Sequence, residues 1–167
     1  IKQINKLKTQ LEKQKKDVEN VIKDQEAQKQ SLAAKEAEQA KLAAADVIVL
    51  QYPLWWYGWP ALLQKWMEDV FVRGFSHGSS GTALHGKKLV VSVTTGASQA
   101  YYAPDSVDFN DLLTPAKATC ALTGMEFAGS LPLYGVSYAN RTDEAARADM
   151  VERSREHAKH LAEFVSA

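Results

Sequence analysis

Asp46-Val47-Ile48-Val49-Leu50-Gln51-Tyr52-Pro53-Leu54-Trp55-Trp56-Tyr57-Gly58-Trp59-Pro60 is the stretch whose reading decides the fold. Its opening, Val47 to Leu50, is a short apolar run that predicts a strand buried on both faces, as in a parallel sheet. A helix should follow, because Pro60 suits a first helical position. Leu62, Leu63, Trp66, Met67, Val70 and Phe71 then trace one apolar stripe.

Further on, Leu89 to Val93 predicts a second buried strand. Phe127 to Leu133 predicts a third, less regular because of Gly129 and Pro132. Between them a helix is expected from Phe109 to Thr123, with Pro115 as a kink or late start and Gly124 as its C-cap. A last helix from about Thr142 to Val165 should turn Met150, Val151, Ala158, Leu161 and Phe164 to the core. Gly74 to Gly86, rich in Gly, Ser and His, reads as a long, mobile loop. Strands alternating with helices at this spacing need crossover connections, hence a parallel sheet with helices on its faces.

The 167 residues divide sharply in texture. All four Trp, six Tyr, five Phe, nine Gly and five Pro lie at or beyond Tyr52. From Ile1 to about Ala44 nearly every residue is a strong helix former. One long helix is expected there, roughly 65 Å at about 1.5 Å per residue. Ile4, Leu7, Leu11, Val18, Val21 and Leu32 fit a heptad whose seam is broken by Gln14, Gln25, Gln28 and Lys35. The expected organisation is therefore 1–44, a coiled-coil-like helix, and 45–167, an α/β domain.

Formal net charge is zero, which gives no electrostatic argument for a nucleic-acid partner or an anionic membrane surface. The apolar runs are too short for membrane insertion, and the lysine-rich start lacks the apolar core of a secretory signal. A cytoplasmic protein is the expectation. The single cysteine, Cys120, is expected to fill core. His157 and His160 beside Glu156 and Glu163 read as a solvated helical face, and His77 and His85 have no companion ligand, so no metal is assigned.

In open parallel sheets ligands bind beyond the carboxyl ends of the strands, and two unusual segments fall there. Tyr52 to Pro60 places five aromatic rings in nine residues of loop, which suits a core edge, a partner or a flat ligand. Thr94-Thr95-Gly96-Ala97-Ser98-Gln99-Ala100-Tyr101-Tyr102 offers backbone N–H groups and hydroxyls to the polar edge of a ring.

On these two segments, with Leu63-Gln64-Lys65-Trp66-Met67-Glu68 and Gly81-Thr82-Ala83-Leu84-His85-Gly86-Lys87-Lys88, the chain resembles the flavodoxin-like NAD(P)H:quinone oxidoreductase family. The likeness covers roughly the C-terminal three quarters. Within the family it resembles the branch of potassium-efflux accessory reductases and drug-activity modulators. It implies a bound FAD, or FMN, that takes hydride from NAD(P)H as co-substrate and passes it to a quinone. Carried onto this chain, Pro53, Leu54, Trp55, Trp56 and Tyr57 would wall the isoalloxazine. Thr94, Thr95, Gly96 and Ala97 would hold its pyrimidine side. Tyr102 would be catalytic, supplying a hydroxyl to nicotinamide or quinone, and a homodimer is expected.

Two departures from the family pattern stand out. Ala103 to Asp108 contains no histidine where many members place one after the tyrosine. Upstream, a complete member has a first strand whose following loop cradles the flavin phosphates, then a second strand and helix. Here the helix-forming stretch occupies that place, with no phosphate loop. Impaired flavin binding and an unpaired apolar edge at Val47 to Leu50 are therefore expected. The alternative expectation is a non-catalytic scaffold that self-associates through the long helix, in a fused or artificial chimeric chain.

Overall fold

The computed structural model describes the backbone of residues 2–103 and 106–166, and side chains from residue 10 onward within those ranges. Two compact units result, residues 1–40 and residues 41–167. The first is the bulk of α1, a single helix over Lys2–Ala44. Leu11, Val18, Val21, Ile22 and Leu32 lie exposed along it. The seam residues Ile4 and Leu7 have side chains outside the described set.

The second unit is an α/β layer structure. Its order is β1 (Val47–Pro53), α2 (Ala61–Val70), β2 (Lys88–Thr94), a 3-10 turn at Gln99–Tyr101, α3 (Phe109–Leu112), α4 (Thr114–Thr123), β3 (Glu126–Leu133), a second 3-10 turn at Tyr138–Arg141, and α5 (Glu144–Ser166). The strands form one sheet in the order β1-β2-β3, and both pairs are parallel. The register sets Ile48, Leu50 and Tyr52 beside Leu89, Val91 and Val93. These six share one face, since side chains alternate along a strand. They join Met67 and Val70 of α2, Phe109 of α3, Ala116 and Cys120 of α4, and Leu42 at the end of α1 in one core. Lys87 fastens that end of α1: its Nζ donates to the carbonyls of Ala43, at 2.7 Å, and Ala45, at 2.6 Å. Helix C-termini favour such cationic partners.

The predicted helix at 109–123 forms as two, broken at Leu113, with Pro115 in the first turn of α4 and Gly124 closing it at φ 69°. Four details differ from the sequence reading. Pro60 is the N-cap of α2 and not its first residue. Leu62 is 81% exposed, because α2 meets the sheet only through Leu63, Trp66, Met67 and Val70. The loop at 74–86 is anchored near its start and its end, with Ser76 and Leu84 fully buried.

The fourth and largest difference concerns the second face of the sheet. Val90 and Ser92 are buried there, but Val49 is exposed and β1 is covered on one face alone. No α5 residue is fully buried, and Val151 and Phe164 stay more than 40% exposed. A single helix is too narrow to cover three strands about 4.8 Å apart. Phe164 of α5 does approach β3 closely. A Cβ on Gly129 would sit 3.0 Å from its ring, and the φ of 145° is the feature that favours glycine there. Among the described residues the outer edge of β1 is unpaired. His157, expected on a solvated face, is half-buried instead, its Nε2 2.9 Å from the Oγ of Ser92.

Candidate active site at the strand ends

Pro53 and Thr94 are partners at the last rung of the β1–β2 ladder. The amide of Leu54 then donates to the Thr94 carbonyl at 2.8 Å, carrying the pairing one residue further. Both loops therefore leave the sheet side by side at its carboxyl edge.

The first loop turns at once. Gly58 N–H donates to the Trp55 carbonyl at 3.1 Å. The two central residues, Trp56 and Tyr57, have φ of 49° and 62°. Positive φ at both centres is the requirement of a type I′ turn, normally met by Asn-Gly. Two bulky aromatics held left-handed are strained by about 1–2 kcal/mol each. The turn presents their rings outward: Trp56 is 96% and Tyr57 47% exposed. Trp59 instead tucks inward. Its indole nitrogen is buried without a partner in hydrogen-bond geometry. It lies close enough to the Tyr52 hydroxyl to oppose the rise that burial imposes on that phenol's pKa.

The second loop is tied to the end of β3. Thr95 N–H donates to the Leu133 carbonyl, Val136 N–H to that of Thr95, and Gly135 N–H to that of Ala97. Thr95 itself is buried, its hydroxyl donating to the Ala97 carbonyl at 2.8 Å. Its side chain shapes the loop and does not face the open space. What the loop leaves free are the amides of Gly96 and Ala97, which bond to no described residue. Nothing lies within 4 Å of where a Gly96 Cβ would stand.

Tyr102 then packs in an aromatic cluster, its ring centroid 5.2 Å from Tyr101, 5.9 Å from Phe109 and 5.6 Å from Tyr134. Tyr101 reaches across to the first loop, its hydroxyl 2.8 Å from that of Tyr57. That bond holds the Tyr101 phenol above its ordinary pKa. Pro104 and Asp105, beyond the cluster, lie outside the described residues.

Leu54, Trp56, Tyr57, Ala97, Tyr101 and Tyr102 enclose an open slot of about 240 Å³. Among the described residues none that lines it is charged. The structure thus brings together Leu54, Trp56, Tyr57, Ala97 and Tyr102 of the expected set, with Gly96 at an open position. It does not bring Pro53, Trp55 or Thr94 to the lining. Tyr101 was not singled out, because two adjacent tyrosines carry no signal as to which one crosses. Tyr134 was missed because it enters from the far end of β3.

A larger space of 440 Å³ lies between β1 and α5, lined by Val49, Leu133, Leu161, Ala162 and others. It follows the uncovered sheet face, takes in Thr94 at the end of β2 but none of the aromatic loop residues, and is not the catalytic candidate. Among the described residues no group of three or more His, Cys, Asp or Glu is placed to hold a metal, and no helix is long and apolar enough to cross a membrane. Burial pushes the Cys120 thiol up to about 11, so it is inert at neutral pH.

A parallel sheet with facing helices and a ligand slot at the carboxyl edge defines a flavodoxin-like architecture. The chain belongs to the family described as "Flavodoxin-like fold", which matches residues 4–158. It is 37% identical over 131 residues to General stress protein 14 of Bacillus subtilis, covering 77% of this chain and 69% of that one. Two further curated relatives are spanned over 64% and 56% of their length. Among solved structures it resembles a Treponema denticola general stress protein 14 in complex with FMN. The TM-score is 0.67 at 28% identity, over 77% of this chain and 72% of that one. It also resembles an NADPH-quinone reductase from P. pentosaceus, with TM-score 0.56 at 31% identity, over 74% and 73%.

Proposed function

We propose that the chain is a flavin-dependent NAD(P)H:quinone oxidoreductase whose slot grips the flavin by its ring. The observation that carries this reading is the aromatic slot at the strand ends, with Ala97, whose amide bonds to no described residue, among its lining. The chemistry of its residues fits a flat heteroaromatic ring. Trp56 and Tyr57 offer faces for stacking, and the free amides of Gly96 and Ala97 would meet the side on which negative charge grows.

When bound, FMN or FAD would supply two-electron transfer from NAD(P)H to a quinone. The chain's own residues would set the ring's orientation. Trp56, Tyr57 and Leu54 wall it, with Pro53 and Trp55 supporting the turn. Gly96 and Ala97 hold its polar edge, with Thr94 and Thr95 fixing that loop. Tyr102, backed by Phe109 and Tyr134, supplies a hydroxyl to the substrate. Among the described residues none that lines the slot bears the positive charge that would hold a phosphate, so ring binding without a strong phosphate contribution, and an impaired affinity, belong to this reading. So does a cytoplasmic location.

Purified protein titrated with FMN should perturb the flavin absorbance bands and quench flavin fluorescence. A spectrum identical to that of free flavin at every protein concentration would refute the reading.

A second reading, self-association as a homodimer through a coiled coil or a purely scaffolding role, is favoured by the exposed Leu11, Val18, Val21 and Leu32 of α1. Light scattering on the Leu11→Lys/Val18→Lys double variant tests it. The particle mass should halve, and an unchanged mass removes the coiled-coil role.

A further inference from the structure

The two phenols that meet across the slot have a proton left over. Tyr57 and Tyr101 hydroxyls lie 2.8 Å apart, and either can donate to the other. Whichever donates, the second phenol keeps an O–H, and no described residue accepts it. Both side chains line the same slot, with Leu54, Trp56, Ala97 and Tyr102. Both are held from behind. Tyr57 sits in its left-handed turn at φ 62°, and Tyr101 is braced edge-on against Tyr102 at 5.2 Å. A phenol that accepts a hydrogen bond becomes a better donor through its own O–H, because the bonds polarise one another. The slot offers this donor to an otherwise uncharged, aromatic space, where a carbonyl oxygen on a flat ring would be the matching acceptor.

We propose that the Tyr57–Tyr101 pair acts as one hydrogen-bond donor that orients a ring carbonyl of a quinone-class ligand in the slot. The pair is a specificity device: it distinguishes a ring that carries a carbonyl from a hydrocarbon of the same outline. Neither phenol alone does this, since removing either hydroxyl breaks the relay that aims the other. The proposal rests on the reductase reading for its substrate class but on the bridge geometry for its mechanism.

The test is equilibrium dialysis of the full chain against 2-methyl-1,4-naphthoquinone and against 2-methylnaphthalene, with and without added FMN. A single hydrogen bond of this kind should favour the quinone by about three- to tenfold. Tyr57→Phe and Tyr101→Phe should each bring the ratio close to one while leaving naphthalene binding unchanged. The double variant should do no more than either single one. Variants that keep the parent's ratio, effects that multiply independently, or a parent that does not prefer the quinone would each overturn the proposal. Circular dichroism on each variant excludes unfolding as the cause. FMN absorbance, read in the same samples, reports on the reductase reading separately: its failure with the quinone preference intact sinks only that reading.

Discussion

Tyr57 and Tyr101 stand 44 residues apart in the chain, yet their hydroxyls meet at 2.8 Å and tie the loop after β1 to the loop after β2. The slot lies where they meet. Neither loop encloses it alone: the first supplies Leu54, Trp56 and Tyr57 and the second Ala97, Tyr101 and Tyr102.

Gly96→Val should fill the opening. Its neighbourhood is empty and its φ is not left-handed, so the fold should tolerate the side chain. Flavin affinity should fall at least about tenfold, equivalent to about 1.4 kcal/mol, with thermal unfolding unchanged. Fluorescence titration beside a melting curve reads both.

Trp56→Gly separates strain from function. Glycine accepts φ 49° freely, and the indole it removes is almost wholly exposed. Stability should be unchanged or rise by up to about 1 kcal/mol. Ring binding should weaken in the same protein. Urea denaturation and flavin titration together would show such a trade between stability and activity.

Riboflavin, FMN and FAD should bind with affinities within about threefold of one another, because no charged side chain among the described residues lines the slot. A marked preference for FMN over riboflavin would place a phosphate site in the chain.

His157 makes stability depend on pH. Burial, and then the charge of His160, hold its imidazole below the ordinary value of 6.5. The folded protein thus binds this proton less readily than the unfolded chain does. Its contribution is complete above pH 6.5 and is lost as the pH falls from there through the lower folded value. Denaturation midpoints should drop between about pH 7 and about pH 5, and His157→Gln should flatten that slope.

Leu84→Ala tests whether the loop before β2 is part of the core. Leu84 has no exposed surface, and the truncation should cost about 2–5 kcal/mol, as much as Leu89→Ala on the central strand. A cost below about 1 kcal/mol would mean that the loop collapses to fill the space.

The sequence by itself determined the three strands, their parallel sense and the helices between them. The apolar runs at 47–50, 89–93 and 127–133 and the crossovers separating them allow little else, since parallel pairing needs a long return path. It also marked both strand-end loops, because five aromatic rings in nine loop residues bury nothing unless something flat or apolar meets them.

Only the tertiary structure decided which of those residues share a slot. Thr95 turns inward to bind Ala97, and Tyr101 crosses to Tyr57 while Tyr102 packs behind it. The exposure of one face of β1 and the half-burial of His157 were likewise undecided by local pattern. Both depend on how far a single helix, α5, reaches across the sheet, and that is set by the width of the neighbouring strands and not by the residues of either element alone.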